Sequence, residues 1–272
     1  MSDTLSFRIL GCGSSGGVPR LSDEPGGNWG ECDPNEPKNK RRRCSVLVTR
    51  KSDTGETRVL IDTTPDMREQ LIDANIGSLD AVVFTHAHAD HTHGIDDLRM
   101  IVFNMRQRLT VYADAPTTDA IKDRFGYAFV QPPGSNYPPI CDLKLIDGPF
   151  TVGGAGGDVP FTAVIPVIHG AMPTVGFKIA NSVYMPDVAE IPDGSWPDLL
   201  DLDLWIIDAL RRDPHPTHTH LERTLGWIAE LNPTQAVLTN MHIDLDYATI
   251  AAETPDHIVP AYDGMTVTLP ID

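Results

Sequence analysis

Basic residues are scarce in this sequence: 21 lysines and arginines stand against 38 aspartates and glutamates, a formal charge of −17 over 272 residues. Such a surface repels a phosphate backbone and argues against broad, non-specific binding to nucleic acid. A small anionic substrate is still admissible, because bound metal ions reverse the local sign of the field. Long apolar runs are missing too, and no segment approaches the roughly 18 residues of a membrane span. The opening Met-Ser-Asp-Thr-Leu-Ser-Phe has neither a basic start nor an extended apolar stretch. No secretory leader is therefore expected, and the expected location is the cytoplasm. Cysteine is limited to Cys12, Cys32, Cys44 and Cys141, with no C-x-x-C pair; reduced thiols are the simplest reading. No repeat of solenoid period and no long linker is present.

What is present is an alternation of short β-rich runs with helical patterns. Strands are expected at Phe7–Leu10, Ser45–Thr49, Arg58–Asp62, Ala81–Thr85, Thr110–Tyr112, Phe161–Ile168, Val175–Ala180, Val183–Met185, Leu204–Asp208 and Ala236–Thr239. Helices are expected at Pro65–Ala74, Ile95–Phe103, Ala115–Phe125, His220–Leu231 and Tyr247–Glu253, with a capping box of Thr219 and Glu222 opening the fourth. Pro19–Arg43 and Phe129–Pro139 read as irregular loops. Strands mixed with helices, without a strict βαβ rhythm, suggest one α/β domain over residues 1–272 with helices covering its sheets.

The chemistry lies where strands end. The buried-strand run Ala81-Val82-Val83-Phe84 empties into His86, His88, Asp90 and His91. Imidazole and carboxylate are the ligand types of zinc, manganese and iron. Alternate residues such as His86 and His88 lie on one side of an extended chain. Four ligand-type residues in six positions are hard to assign to packing alone. Three more strands end the same way, at His169, at Asp187 and at His242. Ligand sites in α/β sheets gather at the carboxyl ends of strands.

The H-x-H-x-D-H motif, followed in order by His169, Asp187 and His242, resembles the metallo-β-lactamase superfamily along nearly the whole chain. The resemblance implies a four-layer αβ/βα sandwich with two divalent metal ions at one edge. It assigns His86, His88 and His169 to one ion, Asp90, His91 and His242 to the other, and Asp187 to both. It also matches Asp62 to an early aspartate that orients a metal-bound histidine, and Asp208 to another strand-end aspartate; a turn or helix cap is the alternative for each.

Gly11-Cys12-Gly13-Ser14-Ser15-Gly16-Gly17-Val18-Pro19-Arg20, Leu60-Ile61-Asp62-Thr63-Thr64-Pro65-Asp66 and His215-Pro216-Thr217-His218 narrow the resemblance. Together they are similar to the phosphodiesterase branch, which includes phosphoribosyl 1,2-cyclic phosphate phosphodiesterase. In that branch a histidine before the late helix reaches the scissile phosphate. His218 is the match, His220 is its competitor, and His215 and His257 read as surface residues. The glycine-rich loop is either an oxyanion cradle or a tight turn.

Two departures stand out. Relatives with a structural zinc have a cysteine cluster in the early loop and a late histidine, where this chain has Cys32 and Ile243, so that zinc is not expected. Relatives have histidine directly after Leu-Thr, where this chain has Asn240, which leaves His242 as the last ligand. The basic run Lys38-Asn39-Lys40-Arg41-Arg42-Arg43 reads as a solvated or internally paired loop rather than a substrate grip.

The expected function is hydrolysis of a cyclic phosphate or nucleotide-like phosphodiester by a hydroxide held between two ions, zinc, manganese or iron. Asp90 helps position the second metal and His218 serves the leaving group. The expected partner is a small phosphorylated substrate, with no membrane, no broad nucleic-acid contact, and a homodimer admissible. The rivals are a thioester or lactam hydrolase on the same ligands, and a non-catalytic metal- or nucleotide-binding protein.

Overall fold

Strands form where β-branched and aromatic residues recur, and the computed structural model describes residues 3–271. Met1 and Ser2, which begin the amino-terminal stretch considered above, lie outside the described residues. In chain order the strands are β1 Thr4–Gly11, β2 Ser45–Ser52, β3 Gly55–Ile61, β4 Ala81–Val83, β5 Leu109–Ala113, β6 Cys141–Leu145 and β7 Phe150–Val152. They continue as β8 Val159–His169, β9 Met172–Ile179, β10 Ser182–Met185, β11 Leu204–Asp208, β12 Gln235–Thr239, β13 Ile258–Pro260 and β14 Thr266–Pro270. The α-helices are α1 Met67–Ala74, α2 Ala89–Thr92, α3 Leu98–Met105, α4 Ala115–Phe125, α5 Leu221–Leu231 and α6 Tyr247–Glu253.

The chain divides into two compact units, one of residues 3–10, 45–161 and 266–271, the other of 11–44 and 162–265. The first unit carries the sheet β14-β1-β2-β3-β4-β5-β6. Strands β2 and β3 form an antiparallel hairpin, and β3 through β6 run parallel. Parallel neighbours need crossovers, supplied here by helical segments. Leu60, Met67, Leu71, Val82, Phe84, Leu98, Ile101, Val111 and Ile121 make the core of this unit.

The other sheet runs β13-β12-β11-β10-β9-β8-β7, with β9 and β10 antiparallel and β10 through β13 parallel. Strand β8 alternates buried and more exposed positions along its length, the period of a strand with one face inward. Strand β11 is buried at every residue, as the middle of a parallel sheet requires.

Several expectations are corrected. Strands β6, β7, β13 and β14 were not expected; each is short and ends a sheet, where a few residues give too little alternation to read. The helix expected at Ile95–Phe103 opens as a 3-10 turn, Ile95–Asp97, before α3. The capping box is absent: His220 holds the N-cap position of α5 with no side-chain cap bond, and the buried Thr219 hydroxyl lies 3.1 Å from Thr224 Oγ1. The helix starts one residue later than a Thr219 cap requires, which puts Glu222 at the second rather than the third helical position. Among the described residues, no helix is long and apolar enough to cross a membrane.

Candidate functional site

In the first unit the expected strand Arg58–Asp62 stops one residue early. Asp62 turns into the left-handed region, φ 65°, and points its fully buried carboxylate at the end of β4. It accepts from Thr85 N at 2.9 Å, Thr85 Oγ1 at 2.8 Å and His91 Nδ1 at 2.7 Å. Three donors satisfy a carboxylate that burial alone would make costly.

Those bonds set tautomers. His91 Nδ1 donates to Asp62, so its Nε2 carries the lone pair. The single Thr85 hydroxyl proton goes to Asp62, so toward His86 Nδ1, 3.0 Å away, that oxygen can only accept. His86 therefore also presents a lone pair at Nε2. That atom lies 3.0 Å from His88 Nδ1, and the rings of His86 and His91 are 4.2 Å apart. Asp90 Oδ2 is 3.5 Å from His91 Nε2. The structure thus brings His86, His88, Asp90 and His91 together within this unit.

Gly94 closes the loop. A Cβ there would lie 2.0 Å from the Thr64 carbonyl oxygen, so the segment can fold back onto 63–64 only with glycine. The backbone bonds Thr63 N to His91 O, 2.8 Å, and Gly94 N to Thr63 O, 2.9 Å, hold it there.

The second unit gathers its residues from four separate strand ends. His169 closes β8 and donates Nδ1 to the Thr217 carbonyl at 2.6 Å, which again leaves the lone pair on Nε2. That Nε2 is 3.6 Å from Asp187 Oδ2. Asp187 Oδ1 accepts from Asn240 Nδ2 at 2.8 Å. Asn240 sits just past β12 at φ 60°, and its amide also donates to the Pro186 carbonyl at 3.0 Å. Two oxygen acceptors fix which end of the amide is nitrogen. Asn240, where the resemblance predicts a histidine, is thus a clamp on Asp187.

Asp208 ends β11 with no side-chain exposure and accepts from His218 Nδ1 at 2.8 Å and Val188 N at 3.1 Å. Burial drives its carboxyl above the ordinary range, and His218 opposes that shift. Burying Leu204 to Ile207, at about 1.5–3 kcal/mol each, offsets the cost of carrying such a group inside. The His218 ring packs edge-on against His169, centroids 4.5 Å apart. His220 instead stands at the N-cap position of α5. His215, expected at the surface, is partly buried with its ring 5.2 Å from His218. His242 Nδ1 meets Asp244 Oδ1 at 2.5 Å.

The donor chemistry fits metal. His86 and His88 in the first unit, and His169 and Asp187 in the second, each bring ligand atoms close together. Oxygen partners at Nδ1 of His86, His91 and His169 leave Nε2 as the edge that could meet an ion. The motif alone did not disclose Thr85, the Thr217 carbonyl or Asn240 as positioning groups.

The early loop is a packing device. The amides of Gly13, Ser14, Gly17 and Val18 donate to backbone carbonyls, so no cradle of these amides faces an oxyanion. In the basic run, Lys38 Nζ donates to Tyr247 Oη at 3.0 Å and lies over the Tyr247 and Tyr262 rings. Arg41 is buried and donates to the Leu245 carbonyl at 2.7 Å and the His242 carbonyl at 3.3 Å. Its guanidinium lies 3.9 Å from Cys32 Sγ. A cation already occupying that position does not fit a zinc site at Cys32.

Residues 57–243 match the family described as "Beta-lactamase superfamily domain". An octanoyltransferase of Porphyromonas gingivalis is 35% identical over 262 residues, covering 94% of this chain and 50% of that protein, so the chain spans about half the length of this curated relative. The crystal structure of a new diphosphatase from the PhnP family is 32% identical, with a TM-score of 0.84, and covers 98% of this chain and 97% of its own. The zinc-bound PqqB of Methylobacterium extorquens, 19% identical with a TM-score of 0.70, covers 96% and 99% and shares the fold. The αβ/βα class expected from the sequence is the class of these two mixed sheets and their matches.

Proposed function

We propose that this chain, which belongs to the metallo-β-lactamase superfamily and is a metal-dependent hydrolase of that fold, cleaves a phosphodiester or phosphoanhydride bond in a small nucleotide-like substrate. The observation that carries the reading is the pair of His218 and the buried Asp208. Asp208 holds Nδ1, so Nε2 is the edge of His218 that takes up or delivers a proton. Proton delivery matters for an alkoxide or phosphate oxygen, which departs poorly by itself, and matters little for a thiolate.

Divalent ions would be held by His86, His88, Asp90 and His91 in the first unit and by His169, Asp187 and His242 in the second. Zinc and manganese suit these donors, and iron shares their ligand preferences. When bound, the ions supply Lewis-acid activation of water and neutralise developing charge. Asp62 orients His91 directly and His86 through Thr85, while Asn240 aims Asp187.

A second reading, hydrolysis of an acyl thioester, is favoured by one observation, the octanoyltransferase name of the half-matched relative. A metal-reconstituted panel decides between them, offering phosphodiesters, diphosphates, an octanoyl thioester and a β-lactam. Turnover of the phosphorus substrates, lost in Asp187→Ala together with both metals, is the expected result. Faster turnover of the thioester than of every phosphorus substrate overturns the proposal.

A further inference from the structure

Within the first unit a cavity of about 600 Å³ opens beside His88, lined by His88, Ala89, His93, Arg124 and Phe125. Arg124 lies in the last turn of α4, and its Nη1 donates to the carbonyl of Ala87, the residue between His86 and His88. That bond uses one of five guanidinium N–H groups and ties the cation to the loop that carries the H-x-H motif. The His93 ring stands edge-on to Phe125, centroids 5.4 Å apart, as a second wall. Arg124 is exposed where it lines this cavity, so its cation is open to an anion that enters. Arginine suits phosphate because its planar fork places two donors on two oxygens at once.

Resting on the phosphorus-ester reading above, we propose that Arg124, with His93 and Phe125 as flanking walls, binds a second anionic group of the substrate, the phosphate next to the scissile phosphorus. The substrate class is then a phosphoanhydride-linked compound, with two adjacent phosphates, rather than a diester with a single phosphorus. Arg124 is a binding residue in this scheme and leaves the chemical step to the groups already described.

A basic residue at a helix carboxyl end also complements the helix dipole, and Lys122 in the same turn supplies the control. The experiment measures binding of pyrophosphate and of inorganic phosphate to the metal-loaded protein by calorimetry. Arg124→Ala is expected to weaken pyrophosphate by about 10- to 100-fold, the loss for a charge-assisted hydrogen-bond pair, and to change inorganic phosphate far less. Lys122→Ala should leave both unchanged, Arg124→Lys should keep part of the binding, and metal content should be full in every variant. Equal pyrophosphate binding by wild type and Arg124→Ala overturns the subsite. So does metal loss in Arg124→Ala with equal weakening of both ligands, which is the signature of a mere loop tether. Failure of the broader reading looks different: wild type hydrolyses no phosphorus substrate, while the pyrophosphate ratio still reports on Arg124.

Discussion

In the first unit the buried Asp62 grips His91 Nδ1 at 2.7 Å, and in the second the buried Asp208 grips His218 Nδ1 at 2.8 Å. Both carboxylates stand at strand ends in the parallel part of a sheet, and both fix a histidine tautomer. The surroundings differ. Asp62 takes three donors and controls two histidines of the H-x-H-x-D-H motif. Asp208 takes two, and its histidine is no member of that motif. Under the proposed function one device serves two purposes: metal orientation in the first unit and proton handling in the second.

The largest effect that tests this contrast is expected from Asp62→Asn. Asparagine tolerates the positive φ, yet its amide would face Thr85 Oγ1 and His91 Nδ1 with a donor, turning the lone pairs the wrong way. Metal affinity should fall by about 10- to 100-fold, read by competition with a chelator. Asp208→Asn should instead keep both metals and lower kcat by about 10²- to 10⁴-fold. Equal metal loss in both variants would merge the two roles and break the comparison.

His218→Ala sharpens it further. Turnover of alkyl phosphodiesters should drop by about 10²-fold or more, while activated aryl diesters suffer less, because nitrophenolate leaves without a proton. His220→Ala should do little on either substrate. Similar losses for the two variants on both substrates would remove His218 from the proton-handling role.

The smallest effect concerns stability. Asp263 accepts from Arg42 N at 2.8 Å and Cys12 N at 3.2 Å, and burial pushes its carboxyl up to about 7. Below the ordinary carboxyl range both folded and unfolded forms are protonated, so folding loses nothing. Between that range and about pH 7 only the unfolded chain ionises, so stability falls as pH rises. Asp263→Asn should flatten this decline, seen as a smaller difference in denaturation midpoint between pH 5 and pH 8. An unchanged difference would place the ionisation elsewhere.

Legibility from sequence followed the same division. The first unit spends its ligand-type residues in one short segment after a buried strand, so periodicity and spacing exposed them at once. The second spreads His169, Asp187 and Asp208 over strand ends far apart in sequence, with His218 in the loop before α5, and each by itself looks like an ordinary polar residue. Short strands such as β6 and β14, with exposed polar positions, had too weak an alternation to be read.

The order of ligand-type residues, the boundaries of β11 and α4, and the family resemblance follow from the sequence alone, because residue type and local periodicity are properties of the chain. The roles of Thr85, the Thr217 carbonyl and Asn240 were decided only by tertiary structure. So were the preference for His218 over His220 beside His169 and the burial of Arg41 against Cys32. A hydrogen bond between distant residues depends on where folding sets its donor and acceptor, and no local pattern encodes that distance.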